Sequence, residues 1–311
     1  MEIISGLHNL RDRHRGCVLT IGNFDGVHRG HQHVIAKLCE QAAERNLPSA
    51  LMTFEPQPRE FFAGTQLPAR LTRFREKVCL LRQTGLQRLL CLPFNTKLSN
   101  VAAQWFAEDL IPKRLGASHV VVGDDFRFGR GREGDFQMLV DAGAEMGYTV
   151  SQMDTLQDGA DRISSTLVRE SLSKGDFAYA QTLLGHEYFI MGRVVFGRQL
   201  GRQLGVPTAN IRLQRYRAAL EGVYCVTVSG VSDDLTALHH GVANIGVRPT
   251  VDGKEPLLEV HLLNYSGDLY GRLLSVTFKH KLRAEQAFGS LDALQAQLDT
   301  DIREAHAYFH Q

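Results

Sequence analysis

The chain is short of the features that assign a protein to a class early. Cysteine is scarce: five in 311 residues, at 17, 39, 79, 91 and 225. None forms a C-x-x-C pair and no Cys/His cluster has zinc-finger spacing, which argues against a disulfide framework or a structural zinc site. An odd, scattered set fits a reducing compartment, so a cytoplasmic protein is expected. No apolar run is long enough to span a bilayer. Met1 to Arg15 is charged and has no apolar core of a leader peptide, so no membrane association is expected. Charge of one sign is lacking too. Lys and Arg number 35 against 34 Asp and Glu, a net of +1, which leaves no broad basic footprint for nucleic acid. No G-x-x-x-x-G-K-[ST] string occurs, so a P-loop is absent. Tryptophan appears once, and there is neither a low-complexity segment nor an internal repeat. What remains is a 43% apolar chain of a length that suggests about two domains.

The most informative stretch is Ile21-Gly22-Asn23-Phe24-Asp25-Gly26-Val27-His28-Arg29-Gly30-His31. Val18 to Ile21 reads as a buried strand, broken by the glycines and Asp25. His28 and His31 follow at the mouth of a helical pattern carried by Val34, Ile35, Leu38 and Ala42. Free backbone N–H groups and the positive end of the helix dipole meet there, which is a place to hold phosphate.

Strand-like and helical stretches then alternate. Strands are expected at 49–54, 86–92 and 120–122, with helices at 73–84, 101–115 and 136–146. Trp105 is read as a core residue. This alternation implies parallel βαβ units in a doubly wound sheet, whose ligands bind at the carboxyl ends of the strands. Loops 22–31, 55–62 and 123–135 fall there. Within the third, Gly129-Arg130-Gly131-Arg132-Glu133-Gly134 matches G-x-G-x-x-G. Asp124 to Phe128 separate it from its strand, so a dinucleotide fingerprint is not expected. Arg130 and Arg132 are read as surface charge. Ile163-Ser164-Ser165-Thr166-Leu167-Val168-Arg169 reads as a capped helix start, with a hydroxyl cluster and an arginine one turn on, apt for pyrophosphate.

The pattern changes near His186. Short strands at 189–196, 222–229, 238–245, 257–263 and 273–278, separated by glycine-rich turns, predict an antiparallel barrel. A helix over 291–309 ends the chain. The division is therefore expected as residues 1–185 and 186–311.

The 21–31 string resembles the signature of the HxGH nucleotidyltransferases, in the variant carried by bacterial FAD synthetases. Gly123 to Gly129 looks like that family's second motif, and 163–169 matches its I-S-S-T-x-x-R motif. In the second half, Gly201 to Asn210 with its Pro207-Thr208-Ala209-Asn210, Gly222-Val223-Tyr224, Asn244 to Thr250 and Glu259-Val260-His261-Leu262-Leu263 together resemble riboflavin kinase. The resemblance, which spans nearly the whole chain, is to the bifunctional riboflavin kinase/FMN adenylyltransferases. It implies a doubly wound α/β nucleotidyltransferase domain followed by a small β-barrel kinase domain with a C-terminal helix. ATP would phosphorylate riboflavin to FMN, and a second ATP would adenylylate FMN to FAD with release of pyrophosphate.

The same resemblance assigns roles residue by residue. His28, His31, Arg169 and Glu259 would be catalytic, Glu259 as the base. Gly22, Asn23, Phe24, Asp25, Gly30, Ser164, Ser165 and Thr166 would bind one ATP, and Gly197 and Gly205 the other. Asp125, Phe126, Phe128 and Arg283 would bind flavin. Thr208 and Asn210, two neutral oxygen donors on one extended face, would hold Mg²⁺, which takes its other oxygens from phosphates and water. Three positions depart from the family pattern. Gln57 stands in place of a histidine and is left out of the catalytic set. Leu200 replaces a basic residue and Val206 an aromatic one. Small-molecule substrates are the expected partners, and a monomer or weak homo-oligomer the expected state. Two rivals stay open at this point: an HxGH enzyme with another phosphorylated acceptor, and a flavin-binding regulator.

Overall fold

The structure is a computed structural model. It describes residues 1–62, 67–159, 161–197, 201, 204–234, 236–250 and 253–310, with side chains described except at 247–250 and 253–255. Arg198, Leu200 and Arg202 lie outside the described residues. The chain forms two compact units, Met1–Leu67 with Lys77–Ser164, and Pro68–Glu76 with Ser165–Gln311.

The first unit is built on strands β1 (Glu2–Ser5), β2 (Cys17–Ile21), β3 (Ser49–Glu55), β4 (Arg88–Pro93), β5 (Ala117–Gly123) and β6 (Thr149–Met153). They form one sheet in the order β1-β4-β3-β2-β5-β6, parallel throughout. All five residues of β2 are buried, as expected for a central strand covered on both faces. Its first crossover is α1 (Arg29–Glu44), which buries Ile35, Leu38 and Ala42, the three-and-four spacing of a single helical face. From β2 the chain moves outward to β3 and β4, then returns to place β5 on the other side of β2. The topological switch therefore lies between the carboxyl ends of β2 and β5, where open α/β sheets bind ligands.

Two strands had no apolar run to reveal them. β1 buries only Ile4, and β6 has no buried residue. The expected helix over 101–115 is Ala103–Trp105 followed by a π-helical stretch, Phe106–Arg114, with Pro112 inside. Proline has no N–H for the i−4 carbonyl, and the ladder widens so that Leu115 N–H reaches Leu110 O at 3.0 Å. Trp105 is half-buried and packs against the core rather than inside it. A further helix of this unit, Phe136–Met146, starts on the Asp135 side chain and stops at Gly147 in the left-handed region, φ 83°.

The second unit is a closed six-stranded barrel. Phe189–Val195, Ala209–Arg212, Gly222–Ser229, His239–Thr250, Gly253–Leu262 and Leu273–Arg283 are its strands in chain order, here β9 to β14 because a two-residue hairpin, β7 (Gln157–Asp158) and β8 (Asp161–Arg162), precedes them. Neighbours run β10-β13-β12-β11-β14-β9, all antiparallel. Ile211, Ala243, Leu258 and Val260 are buried in the interior. The C-terminal helix, Leu291–Phe309, begins on the Ser290 cap. It covers the outer face at Val223, Cys225, Val242 and Leu263 with Ala305, Ile302, Tyr308 and Phe309. The segment Pro68–Glu76 is fastened to this unit by a buried ion pair: Arg215 Nη2 lies 2.7 and 2.5 Å from the two oxygens of Glu76.

Candidate functional site

In the first unit the β2–α1 loop sits at the switch point, and its backbone is unusual. Phe24 and Val27 have φ of 48° and 43°, a left-handed conformation that costs energy, most for a β-branched residue such as Val27. Both side chains are buried, which holds the loop in place. His28 caps α1, its Nδ1 accepting the His31 N–H at 3.4 Å. The two imidazoles stack with centroids 3.6 Å apart and planes at 21°. The Phe24 ring lies 5.0 Å from His31.

Burial first, then the neighbouring His28 and Lys77, hold His31 well below the ordinary imidazole range, so it is neutral near pH 7. Its Nδ1 is shielded from solvent and has no hydrogen-bond partner among the described residues. A neutral, underbonded imidazole at a helix N-terminus is equipped to take up a proton when a polyanion arrives. Gly30 leaves room for this pair: a Cβ there would stand 3.2 Å from His28 Cε1 and Nδ1 and 3.4 Å from Ile163 O. Ile163, and so the start of the serine–threonine motif, therefore lies against the same helix end.

Lys77 was not foreseen. Fully buried, it donates from Nζ to Asn23 O at 2.6 Å and to Thr53 Oγ1 at 3.3 Å. It thereby ties the loop to the end of β3. The available signal was its place four residues before Leu81, on the apolar stripe of its helix.

The other two loops also lie at the carboxyl edge. In 55–62, Gln57 is buried and its Nε2 has no partner among the described residues. Beside it in sequence, Phe61 and Phe62 pack edge-on to Phe94 at 5.5 and 5.7 Å, and Phe62 stays exposed. In 123–135, Asp124 and Asp125 both pair with Arg162, at 3.2 and 3.1 Å. Phe126 stacks on Phe128 at 5.5 Å. Phe128 is a core residue of the unit and Phe126 is half-buried against that core. The G-x-G-x-x-G string makes a tight turn closed by a bridge between Phe128 and Gly134, and Arg130 and Arg132 are exposed.

Ser165 opens the helix Ser165–Lys174 of the second unit. There Thr166 is exposed, Ser165 and Arg169 are half-buried, and Arg169 Nε donates to Ala69 O.

On the barrel, strand register builds the second cluster. Asn210 of β10 pairs with Glu259 of β13, Glu259 with Asn244 of β12, Asn244 with Val223 of β11, and Val223 with Arg283 of β14. Directly paired residues point to the same face, so these five form a row across the outer surface. Buried Asn210 lies at one end. Gly197 lies against its amide, a Cβ there falling 2.5 Å from Asn210 Cγ, and Thr208 O is 3.4 Å from Asn210 Nδ2. Gly205 turns the chain at φ 75°. At the other end Arg283 is held by Asp301 of the C-terminal helix, Nε to Oδ1 at 2.9 Å and Nη2 to Oδ2 at 2.8 Å. Its guanidinium lies over Phe288 at 5.7 Å. Glu285 reaches over Gly246 on the same strand as Asn244. Burial first, then Glu221 and Glu259, raise its carboxyl above the usual range.

These geometries coincide with two family matches. The FAD synthetase model matches residues 10–167 and the riboflavin kinase model residues 184–309. The bifunctional riboflavin kinase/FMN adenylyltransferase of Escherichia coli K12 is 49% identical over 310 residues, 99% of this chain and 98% of the relative. The chain belongs to the bifunctional riboflavin kinase/FMN adenylyltransferase family. The Pseudomonas fluorescens member is 50% identical over 309 residues, 99% of this chain and 97% of that one. A crystal structure described as a macrolide-efflux protein from Streptococcus pneumoniae superposes with a TM-score of 0.78 at 27% identity, over 98% of this chain and 99% of that one. Among the described residues here, no helix is long and apolar enough to cross a membrane.

Proposed function

We propose that this chain makes FAD from riboflavin in two steps, with residues 186–311 carrying the kinase step and residues 1–185 the adenylyl transfer. The observation that carries the reading is the coincidence of both family matches, end to end, with two separate polar clusters of the right chemistry.

In the kinase step the 5′-hydroxyl of riboflavin attacks the γ-phosphorus of ATP. A new P–O bond forms, the bond to the β-bridging oxygen breaks, and ADP leaves. Glu259 takes the hydroxyl proton; a carboxylate suffices because phosphoryl transfer is largely positioning and charge stabilisation. Thr208 and Asn210 would hold Mg²⁺. Their donor set fits, being two neutral oxygens that leave the remaining positions to phosphate and water. The cation would neutralise charge between the phosphates. Gly197 and Gly205 leave room for ATP, and Arg283, fixed by Asp301, meets the flavin.

In the second step a phosphate oxygen of FMN attacks the α-phosphorus of another ATP, and pyrophosphate leaves. That nucleophile is anionic at neutral pH, so no strong base is required. Gly22, Asn23, Phe24, Asp25 and Gly30 shape the pocket around His28 and His31, which stabilise developing charge. Ser164, Ser165, Thr166 and Arg169 receive the pyrophosphate. Asp125, Phe126 and Phe128 border the flavin. The exposed Phe62 ring adds a face on which the isoalloxazine stacks. The enzyme acts in the cytoplasm as a monomer or weak homo-oligomer, without nucleic-acid or membrane partners.

The test is incubation with riboflavin, ATP and Mg²⁺, followed by chromatographic separation of flavins. FMN and then FAD are expected. His31→Ala should stop FAD formation while FMN still accumulates. Glu259→Ala should stop riboflavin phosphorylation yet convert supplied FMN to FAD. Loss of both activities in either variant, with the fold intact, would overturn the two-site assignment.

A further inference from the structure

The row on the barrel contains a polar group that the two-step scheme leaves unused. Asn244 lies between Glu259 and Val223 by register. Its Oδ1 is shielded from solvent and has no hydrogen-bond partner among the described residues. A buried carbonyl oxygen without a donor is costly, and such a group persists where a ligand completes it.

Its place in the row says which ligand. The end at Asn210 and Thr208 suits phosphate and cation, and the end at Arg283 and Phe288 suits the flat ring. Adjacent strands lie about 4.8 Å apart. Asn244 is thus one strand from Glu259, on the ring side. What bridges those two ends in riboflavin is the ribityl chain, whose inner carbons each carry a hydroxyl. We propose that the Asn244 carboxamide accepts a hydrogen bond from an inner ribityl hydroxyl, and so selects a polyhydroxylated acceptor and fixes its terminal hydroxyl at Glu259. Asn244 is a specificity-determining and positioning residue; the proton transfer belongs to Glu259. The proposal rests on the reading of this face as the kinase site.

The chemistry favours an alcohol over a cation as the missing partner. The orphaned atom is a neutral acceptor, and the charge beside it is a carboxylate already assigned a proton to take. A hydroxyl can donate to Asn244 while a neighbouring hydroxyl donates to Glu259, so one chain satisfies both acceptors. A site that hydrogen-bonds a substrate hydroxyl also rejects analogues that lack it, because its own buried group is then left unpaired.

The test compares riboflavin with a flavin bearing an ω-hydroxypentyl chain at N10, which keeps the terminal hydroxyl and lacks the inner ones. FMN-type product is measured in full-length enzyme. The wild type should prefer riboflavin by about tenfold or more in kcat/KM. Asn244→Ala should lower kcat/KM for riboflavin by about tenfold and leave the analogue unchanged, closing the gap. Asn244→Ser, which keeps an acceptor, should retain part of the preference and guards against misfolding in the alanine variant. If the wild type phosphorylates neither flavin, the kinase reading itself fails. If it phosphorylates both and Asn244→Ala leaves their ratio unchanged, only the role of Asn244 fails.

Discussion

Gly30→Ala separates the two activities by a single methyl group. Gly30 is the second residue of α1, so alanine gains at most about 1 kcal/mol of helix propensity. The new Cβ would meet His28 Cε1 and Nδ1 at 3.2 Å and Ile163 O at 3.4 Å. Comfortable contacts between carbons begin at about 3.5 Å. The Ile163 carbonyl is backbone and blocks retreat on one side, so the His28 ring must shift by a few tenths of an ångström. That shift works against a cap already long at 3.4 Å and against the stack on His31 at 3.6 Å. Misplacing a catalytic group by ~1 Å can cost ~100-fold, so a fall in FAD formation of about tenfold or more is expected. FMN formation from riboflavin should be unchanged and folding stability altered by no more than about 1 kcal/mol. The assay follows both flavins in one time course, with a thermal melt beside it. FAD formation at the wild-type rate in a folded Gly30→Ala variant would refute the placement of His28 at the reacting phosphate.

Arg215→Met leaves the buried Glu76 carboxylate without its partner and should cost about 3–5 kcal/mol. That lowers the melting temperature of the unit by roughly 6–20 °C. Adding Glu76→Leu should recover most of it, and a double variant no more stable than the single one would count against the argument. His31 sets a pH signature. Its folded-state pKa is depressed, so above about 6.5 it is neutral in both states and stability is flat. As pH falls below that value the unfolded chain takes up the proton first, and stability drops by up to about 1.4 kcal/mol per pH unit. His31→Gln should remove that part of the slope in denaturant titrations from pH 7.5 to 5. Asp301→Ala frees Arg283 from two charged hydrogen bonds. It should destabilise the barrel by about 1–3 kcal/mol and raise KM for riboflavin more than it lowers kcat.

The sequence by itself determined the class of both halves. Strand and helix periods alternate to His186 and then give way to short strands, because the backbone period of each element imprints itself on which positions must be apolar. It also determined the local chemistry at 21–31, where two imidazoles fall at the start of a helix. Of the strands it missed, β1 and β6 sit at sheet edges and bury little, so their residues carry no apolar pattern, and β10 is only four residues long. Only the tertiary structure decided which distant residues meet. Lys77 reaches Asn23 across 54 positions. Asn210, Glu259, Asn244 and Arg283 line up through the register of five strands. Asp301 finds Arg283 because the C-terminal helix packs on the outer face of the barrel. Such pairings depend on closure of the sheet and on side-chain burial, which are properties of the packed chain and leave no local trace in the order of its residues.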